Sequence, residues 1–248
     1  MPPEERQKPS LLNLEERLLG AAAVEVLGRL PYSSNGTFLV RCRDGDDERA
    51  GVYKPAAGER PLWDFPSESL HRREVAAFEL SRWLGWHIVP ITVARPDGPL
   101  GAGSIQLFVD HDPDQHYFTL MEAHEREFKR IAFFDMLTNN ADRKSGHCVI
   151  DRGGRVWAID HGLTFHVEPK MRTVIWDFAG QRLPTSYCRA ATRLVEGLAD
   201  RGSEISRLMH LHLAPGEVRE LRNRASKLSE EGVFPSPTSN WAFPWPLV

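Results

Sequence analysis

Two aspartates of the stretch Leu137–His166, LTNNADRKSGHCVIDRGGRVWAIDHGLTFH, stand where a phosphoryl-transfer centre would need them. Asp142 precedes a strand–turn–strand pattern and Asp160 follows it. The pattern runs His147–Ile150, then Asp151-Arg152-Gly153-Gly154, then Val156–Ile159. Gly153-Gly154 can supply the positive backbone dihedrals of a tight hairpin, which folds the two ends back together. Both carboxylates then reach one end of the small sheet. Such a pair can divide the work: one accepts the proton of an attacking hydroxyl, and the other holds Mg²⁺. A merely acidic surface loop carries the same letters, because aspartate is common in turns.

Other residues have types that suit a nucleotide. Lys54 ends a strand in GVYKP, and Glu74 sits on the first long helix in HRREVAAF. A flexible ammonium must be aimed at phosphates, and a helix carboxylate can aim it. Taken singly, both also read as solvated surface charges. The polar turn Ser33-Ser34-Asn35-Gly36-Thr37 lies between two strands, and backbone N–H groups in such a turn can cover phosphates. Asn-Gly is equally a common hairpin connector. In Gly103–Val109, GSIQLFV, backbone groups can meet a purine edge while Ile105, Leu107 or Phe108 wall its faces. A buried core strand has the same composition. No GxxxxGK[ST] sequence is present, so the chain is not a P-loop protein.

The elements that must position these residues change character along the chain. Met1–Ser10 reads as frayed and Leu11–Leu19 as a short helix. Val24–Leu30, Thr37–Arg43 and Gly51–Lys54 read as a β-meander, with a turn at Gly45. Leu70–Leu84 is helical, with Ala77, Leu80 and Leu84 on one stripe and Gly85 as its stop. Strands at Ile88–Ala94 and Ser104–Val109 follow. Glu122–Asn139 is a helix apolar nearly all round apart from Asp135, as in a core. After the hairpin come helices at Ala190–Ala199, Ser203–Leu213 and from Pro215, then an aromatic tail, WAFPWPLV, expected to pack on the body. The expected architecture is α+β and bilobal. Residues 1–20 form an extension, 21–110 a small antiparallel β lobe with one helix, and 111–248 a mainly helical lobe. The join falls near Val109–Asp114, and a cleft between lobes suits a ligand.

Composition narrows the class. The 248 residues are 41% hydrophobic with a net charge of −3, which gives ample core and no basic signature of nucleic-acid binding. Cys42, Cys148 and Cys188 are odd in number and lie far apart, so neither a disulfide framework nor a zinc knuckle is indicated. A reducing cytoplasm is the simplest compartment. The polar N-terminus is no signal peptide, and no apolar run approaches the ~20 residues of a membrane span.

In combination, the turn, Lys54, Glu74, GSIQLFV, NNADR and AIDHGLTF resemble the phosphatidylinositol 3-/4-kinase-like group, closest to its type II phosphatidylinositol 4-kinase branch. DRKSGH, IDHGLTFH and MRTVIWDFAG resemble more narrowly a compact actinobacterial family of phosphatidylinositol-kinase type. The resemblance spans Val24 to Gly180 and implies a protein-kinase-like fold that uses ATP and Mg²⁺, with Mn²⁺ as a substitute. It implies that Asn35, Gly36 and Thr37 cover phosphate and that Lys54, braced by Glu74, touches the α/β-phosphates. Gln106, Phe108 and Val109 hold the adenine. Asp142 positions the acceptor hydroxyl, Lys144 neutralises γ-phosphate charge, and Asp160 ligates the metal. WDFAG at Trp176–Gly180 resembles DFG by eye but lies past the hairpin.

One position departs from the pattern. His147 stands where the family places the asparagine that binds a second metal. Imidazole ligates divalent ions but prefers softer ones than Mg²⁺. His147 is therefore a metal ligand, a phosphate hydrogen-bonding group, a mark of a weak enzyme, or a structural residue. The implied function is transfer of the γ-phosphoryl of Mg·ATP to a hydroxyl of a lipid, a protein Ser/Thr or a small alcohol. No palmitoylation-type cysteine cluster and no polybasic amphipathic helix favours the lipid. One alternative is a catalytically inactive nucleotide-binding module. Another is a metal-dependent phosphohydrolase built from His147, His161, His166, Asp142 and Asp160, although no HExxH spacing supports it.

Overall fold

The computed structural model describes residues 11–31, 35–237 and 239–248. The expected frayed segment Met1–Ser10, and Ser33-Ser34 of the polar turn, lie outside the described residues. The chain divides into two compact units, residues 1–60 with 91–108 and residues 61–90 with 109–248.

Among the described residues the first unit is a five-stranded antiparallel sheet with one α-helix. Helix α1, Leu11–Ala21, is followed by strands β1 (Ala23–Arg29), β2 (Phe38–Asp44), β3 (Asp47–Pro55), β4 (Thr92–Arg95) and β5 (Gly103–Leu107), in sheet order β1-β2-β3-β5-β4. β2 and β3 form the expected tight hairpin. Asp44 pairs with Asp47 across Gly45-Asp46, and Gly45 takes φ +62°. One face buries Val40, Cys42, Tyr53 and Ile105 together with Leu18 and Leu19 of α1. Arg95 fixes the helix end, donating to the carbonyls of Leu19 (3.1 Å) and Ala22 (2.8 Å). Gly103 is required where β5 passes β3, since a Cβ there would meet the Lys54 carbonyl at 2.4 Å.

The expected strand Ile88–Ala94 begins late, at Thr92. The N–H groups of Ile88 and Val89 donate to the Ser81 hydroxyl (3.0 and 3.3 Å) instead of to a ladder, and Pro90 has no N–H to offer.

The second unit is helical apart from one hairpin. It holds α2 (Leu70–Trp83), α3 (Tyr117–Leu120), α4 (Glu125–Thr138), α5 (Thr185–Ala199), α6 (Glu204–His212) and α7 (Pro215–Glu231). Its hairpin pairs β6 (Cys148–Ile150) with β7 (Val156–Ala158). Pro215 opens α7 and Gly232, at φ +63°, closes it. Helix α4 is buried all round from Ile131 to Thr138, as its composition requires. The hairpin turn also forms, but only Gly154 takes positive φ (+83°). Asp151 replaces the second glycine's part by accepting from the N–H groups of Gly153 (2.8 Å) and Arg155 (3.0 Å).

Helix α2 belongs to this second unit, which differs from the expected division at residue 110. The reason is polar. Arg73, 1% exposed, pairs with Glu217 of α7 and donates to the Thr164 carbonyl (2.6 Å), with its guanidinium over the Phe65 ring. A charge buried that deeply must stay with its partners. Glu217→Ala is therefore expected to cost about 3–5 kcal/mol in urea unfolding, because it strands the guanidinium. A loss below about 1 kcal/mol would show that the pair does not anchor α2.

Candidate active site

The site of the second unit is built outward from the end of α4. The helix stops at Asn139, which takes the left-handed conformation (φ +53°, ψ +51°). The Asn139 amide nitrogen donates to the carbonyls of His166 (3.0 Å) and Glu168 (2.6 Å). The next residues then run between two neighbouring segments. Ala141 N–H donates to Leu163 O (2.8 Å), and Arg143 N–H donates to Arg172 O (3.0 Å). Asn140 joins helix to loop: its amide donates to Asp135 Oδ1 (2.9 Å) and its carbonyl oxygen accepts from Asp142 N–H (3.0 Å).

Arg143 and Asp135 are both fully buried and meet in a two-pronged ion pair, Nε to Oδ2 at 2.9 Å and a terminal nitrogen to Oδ1 at 3.0 Å. The other terminal nitrogen donates to the carbonyls of His147 (3.0 Å) and Ile159 (2.8 Å). The guanidinium also donates to His161 Nε2 (2.8 Å). Burial opposes its charge, but Asp135 more than restores it, and the pKa is raised. One side chain thus ties α4, the start of β6 and the end of β7 to the loop that carries Asp142.

His147 closes the space between the two aspartates. Its Nδ1–H donates to the Asp142 carbonyl (2.8 Å), and its Nε2 lies 3.3 Å from Asp160 Oδ2. Lys144 Nζ lies 3.1 Å from Asp142 Oδ2. Burial raises the Asp142 pKa. Lys144 opposes the rise, Asp160 adds to it, and Arg143 opposes it. Asp160 takes φ +59°, a strained setting for a residue with a Cβ, and nearby Phe165 does the same. The neighbouring N–H, that of His161, donates to Glu74 Oε2 (3.0 Å), and Glu74 is itself buried. The structure therefore brings together Asp142, Lys144, His147 and Asp160, with Glu74 on the backbone beside them.

The remaining expected residues lie in the first unit, apart from Val109, the first residue of the second segment of the other unit. Lys54 stands in β3 opposite Ser104. The Gly36 N–H donates to Gly58 O (2.8 Å), and Asn35 Oδ1 accepts from Arg60 N–H (2.9 Å). Thr37 is buried, and its carbonyl accepts from Leu30 N–H (2.9 Å). The Gln106 side chain is committed to the sheet through Thr92 Oγ1 (2.8 Å). Phe108 N–H donates to Ala50 O (3.0 Å), and the Val109 carbonyl accepts from His111 Nδ1 (2.8 Å).

The rival histidine cluster does not form. His161 is buried against Arg143, and its Nε2 is spent on the guanidinium. Both ring nitrogens of His166 are spent on backbone, Nε2–H to Asp64 O (2.7 Å) and Nδ1 from Glu168 N–H (3.0 Å). Among the described residues no group of three or more His, Cys, Asp or Glu side chains is placed to hold a metal. The WDFAG aspartate, Asp177, accepts from the Tyr117 hydroxyl, which together with burial raises the tyrosine pKa.

Asp135, Asn140 and Arg143 were missed as site residues. A lone aspartate inside an apolar helix was their signal, because such a charge needs a buried cation.

The Asp160 carboxylate oxygen suits a hard divalent ion that brings other ligands with it, whereas the His147 imidazole nitrogen suits a softer one. His147 Nε2 and Asp160 Oδ2 are two donors side by side. Octahedral Mg²⁺ usually takes one or two protein carboxylates and fills the rest with water and phosphate oxygens.

The Mycobacterium tuberculosis (strain ATCC 25618 / H37Rv) protein Rv2133c is 37% identical, and the match covers 94% of this chain and 95% of that protein. No protein-family model matches the chain. Among solved structures, the crystal structure of a Helicobacter pylori proinflammatory kinase, CtkA, matches with a TM-score of 0.52 at 11% identity. That match covers 87% of this chain and 94% of the kinase. The likeness shows a kinase-like fold.

Asp135→Ala is expected to cost about 3–5 kcal/mol, because it leaves the Arg143 charge buried and unpaired. Native-state hydrogen exchange should then quicken at the Ile159 amide, which donates to His147 O (2.9 Å). An Ile159 amide as protected as in the wild type would show that the ion pair does not hold the hairpin.

Proposed function

The chain belongs to the family of the Mycobacterium tuberculosis protein Rv2133c, and from its kinase-like fold and site geometry we propose that it is an ATP-dependent phosphotransferase of the phosphatidylinositol 3-/4-kinase-like kind. The carrying observation is the bridge Asp142–His147–Asp160, with Lys144 on the first carboxylate.

In this reading Asp142 accepts the proton of the acceptor hydroxyl as the oxygen bonds to the γ-phosphorus. The bond from that phosphorus to the β,γ-bridging oxygen breaks, and ADP leaves. Its raised pKa suits a base better than an ordinary carboxylate does. Lys144 holds Asp142 in place and faces the transferred phosphoryl. Asp160, with His147 Nε2, would hold the metal, which would supply charge neutralisation at the phosphate oxygens. Lys54 meets the α/β-phosphates, the turn Asn35–Thr37 lies over them, and Gln106–Val109 pack beside the adenine, with the Gly36 and Phe108 N–H groups and the Val109 carbonyl already engaged within the protein. Glu74 fixes the backbone next to Asp160 and so acts as a positioning residue. The acceptor is a hydroxyl of a lipid, a protein or a small alcohol.

Asp142→Asn separates catalysis from stability. It should lower ATP turnover by roughly 10²–10⁴-fold, the usual worth of a positioned base, and leave ATP affinity within about threefold. The sign for stability is opposite. A carboxyl whose folded pKa is raised contributes stability when protonated, and that contribution is lost as pH rises through the folded pKa. At pH 7 the uncharged variant should therefore melt no earlier than the wild type. Turnover near the wild-type rate would remove Asp142 from the mechanism.

Lys54→Ala should weaken ATP binding at least tenfold by calorimetry while the fold persists. An unchanged affinity would overturn the nucleotide assignment. Wild-type protein that binds ATP but turns it over with neither Mg²⁺ nor Mn²⁺ would make the chain an inactive nucleotide-binding module, with His147 as its mark.

A further inference from the structure

The second unit holds a cavity of about 430 Å³ that Asp142, Lys144, His147 and Asp160 do not line. That size suits a small molecule. Met136 of α4, Leu228 of α7, Trp176 and the tail residue Trp241 give it apolar walls. Trp241 lines the cavity and is 80% exposed.

The charge along the cavity is lopsided. Lys170 is neutralised by Asp64 (2.9 Å), and Lys227 lies near Glu231 (3.8 Å). The two arginines that also line it, Arg172 and Arg224, have no carboxylate within ion-pair distance among the described residues. Arg224 donates Nε–H to Leu137 O (2.8 Å) and one terminal nitrogen to His166 O (3.2 Å). Its other terminal nitrogen is buried and meets no acceptor in the protein. Burial pulls this guanidinium down to about 10, against the pull of Glu220 and Glu217, yet it stays charged at neutral pH. A buried cationic N–H with no acceptor is costly, and an anion brought into the cavity removes that cost.

We propose that this cavity is a binding site for a small amphipathic anion, a phosphate ester or carboxylate on an aromatic or alkyl body. Arg224 and Arg172 take the anion, and the Met136–Trp176–Leu228 wall takes the apolar part. The site is tied to the loop of Asp142 through backbone. Arg172 N–H donates to Asn140 O (2.9 Å), and Arg172 O accepts from Arg143 N–H (3.0 Å). Occupancy therefore bears on the same hydrogen bonds that seat the catalytic loop.

The test is calorimetric titration of the full chain, without ATP, using 1-naphthyl phosphate, inorganic phosphate and 1-naphthol as probes. The ester should bind at least tenfold more tightly than either fragment. Arg172→Glu, an exposed change that leaves the backbone bonds in place, should weaken the ester at least tenfold without shifting the melting temperature. Arg224→Met should do the same, and if it melts early, the Arg172 variant decides alone. Ester binding no tighter than inorganic phosphate, or unchanged in folded Arg172→Glu, would overturn the proposal. Neither outcome depends on phosphoryl transfer, so a failure here leaves the catalytic reading to its own test.

Discussion

The ion pair between Arg143 and Asp135 is the constraint on which the second unit's site depends. Two opposite charges at zero exposure gain little net stability, since their desolvation offsets their attraction, and apolar residues of similar volume often do as well. The pair is explained by what else the guanidinium reaches. It donates to carbonyls at both ends of the hairpin and to His161, and the carboxylate also takes the Asn140 amide. A methionine could fill that space, but it could not set where Asp142 leaves the helix relative to where Asp160 leaves the hairpin. The charge is buried for position.

Around that anchor the protein concentrates its unfavourable local features. Asp142 is a carboxylate whose burial raises its pKa. Asp160 and Phe165 hold left-handed backbone, and Asn139 does so at the helix end. Such settings cost free energy singly and persist when neighbours over-determine them. Here the neighbours are Glu74 on the His161 amide, Thr138 O on the Phe165 amide, and the Asn139 side chain on two carbonyls. These bonds explain why α2 sits with the helical unit. Its Arg73 and Glu74 act on the segment that follows Asp160, so the helix must stay with what it braces.

How far the sequence discloses this follows from the kind of group involved. Elements with strong periodicity or clear stops were legible: α2, α4, the meander, the β6–β7 hairpin, and α7 with Pro215 and Gly232 at its ends. Strand β4 was misplaced because the Ser81 hydroxyl competes for the amides of Ile88 and Val89, an interaction seven and eight residues long that no local pattern records. Four of the candidate residues, Asp142, Lys144, His147 and Asp160, stand at a spacing the sequence shows, and the fold places them side by side. Their support was not. Asp135 looked like an exception in an apolar helix, and Arg143 like a neighbour of Asp142. The rival reading of the three histidines as one metal cluster fails because tertiary bonds give two of them to other partners.

The two halves of a phosphoryl-transfer site differ in how they can be written in a chain. Moving a proton and holding a metal need particular side chains, so that half leaves a fixed trace in residue types. Holding a purine edge and covering phosphates need backbone groups, which any residue carries. The proposed nucleotide residues of the first unit illustrate that distinction. The Gln106 side chain is spent on Thr92 and the Asn35 side chain on Arg60, so the side-chain letters of those motifs shape the strands and turn, and the Gly36 N–H is itself engaged by Gly58 O. On the proposed reading Lys54 is the first-unit residue whose side chain meets the nucleotide. The nucleotide reading therefore turns on one lysine, while the catalytic reading turns on four side chains held by a fifth.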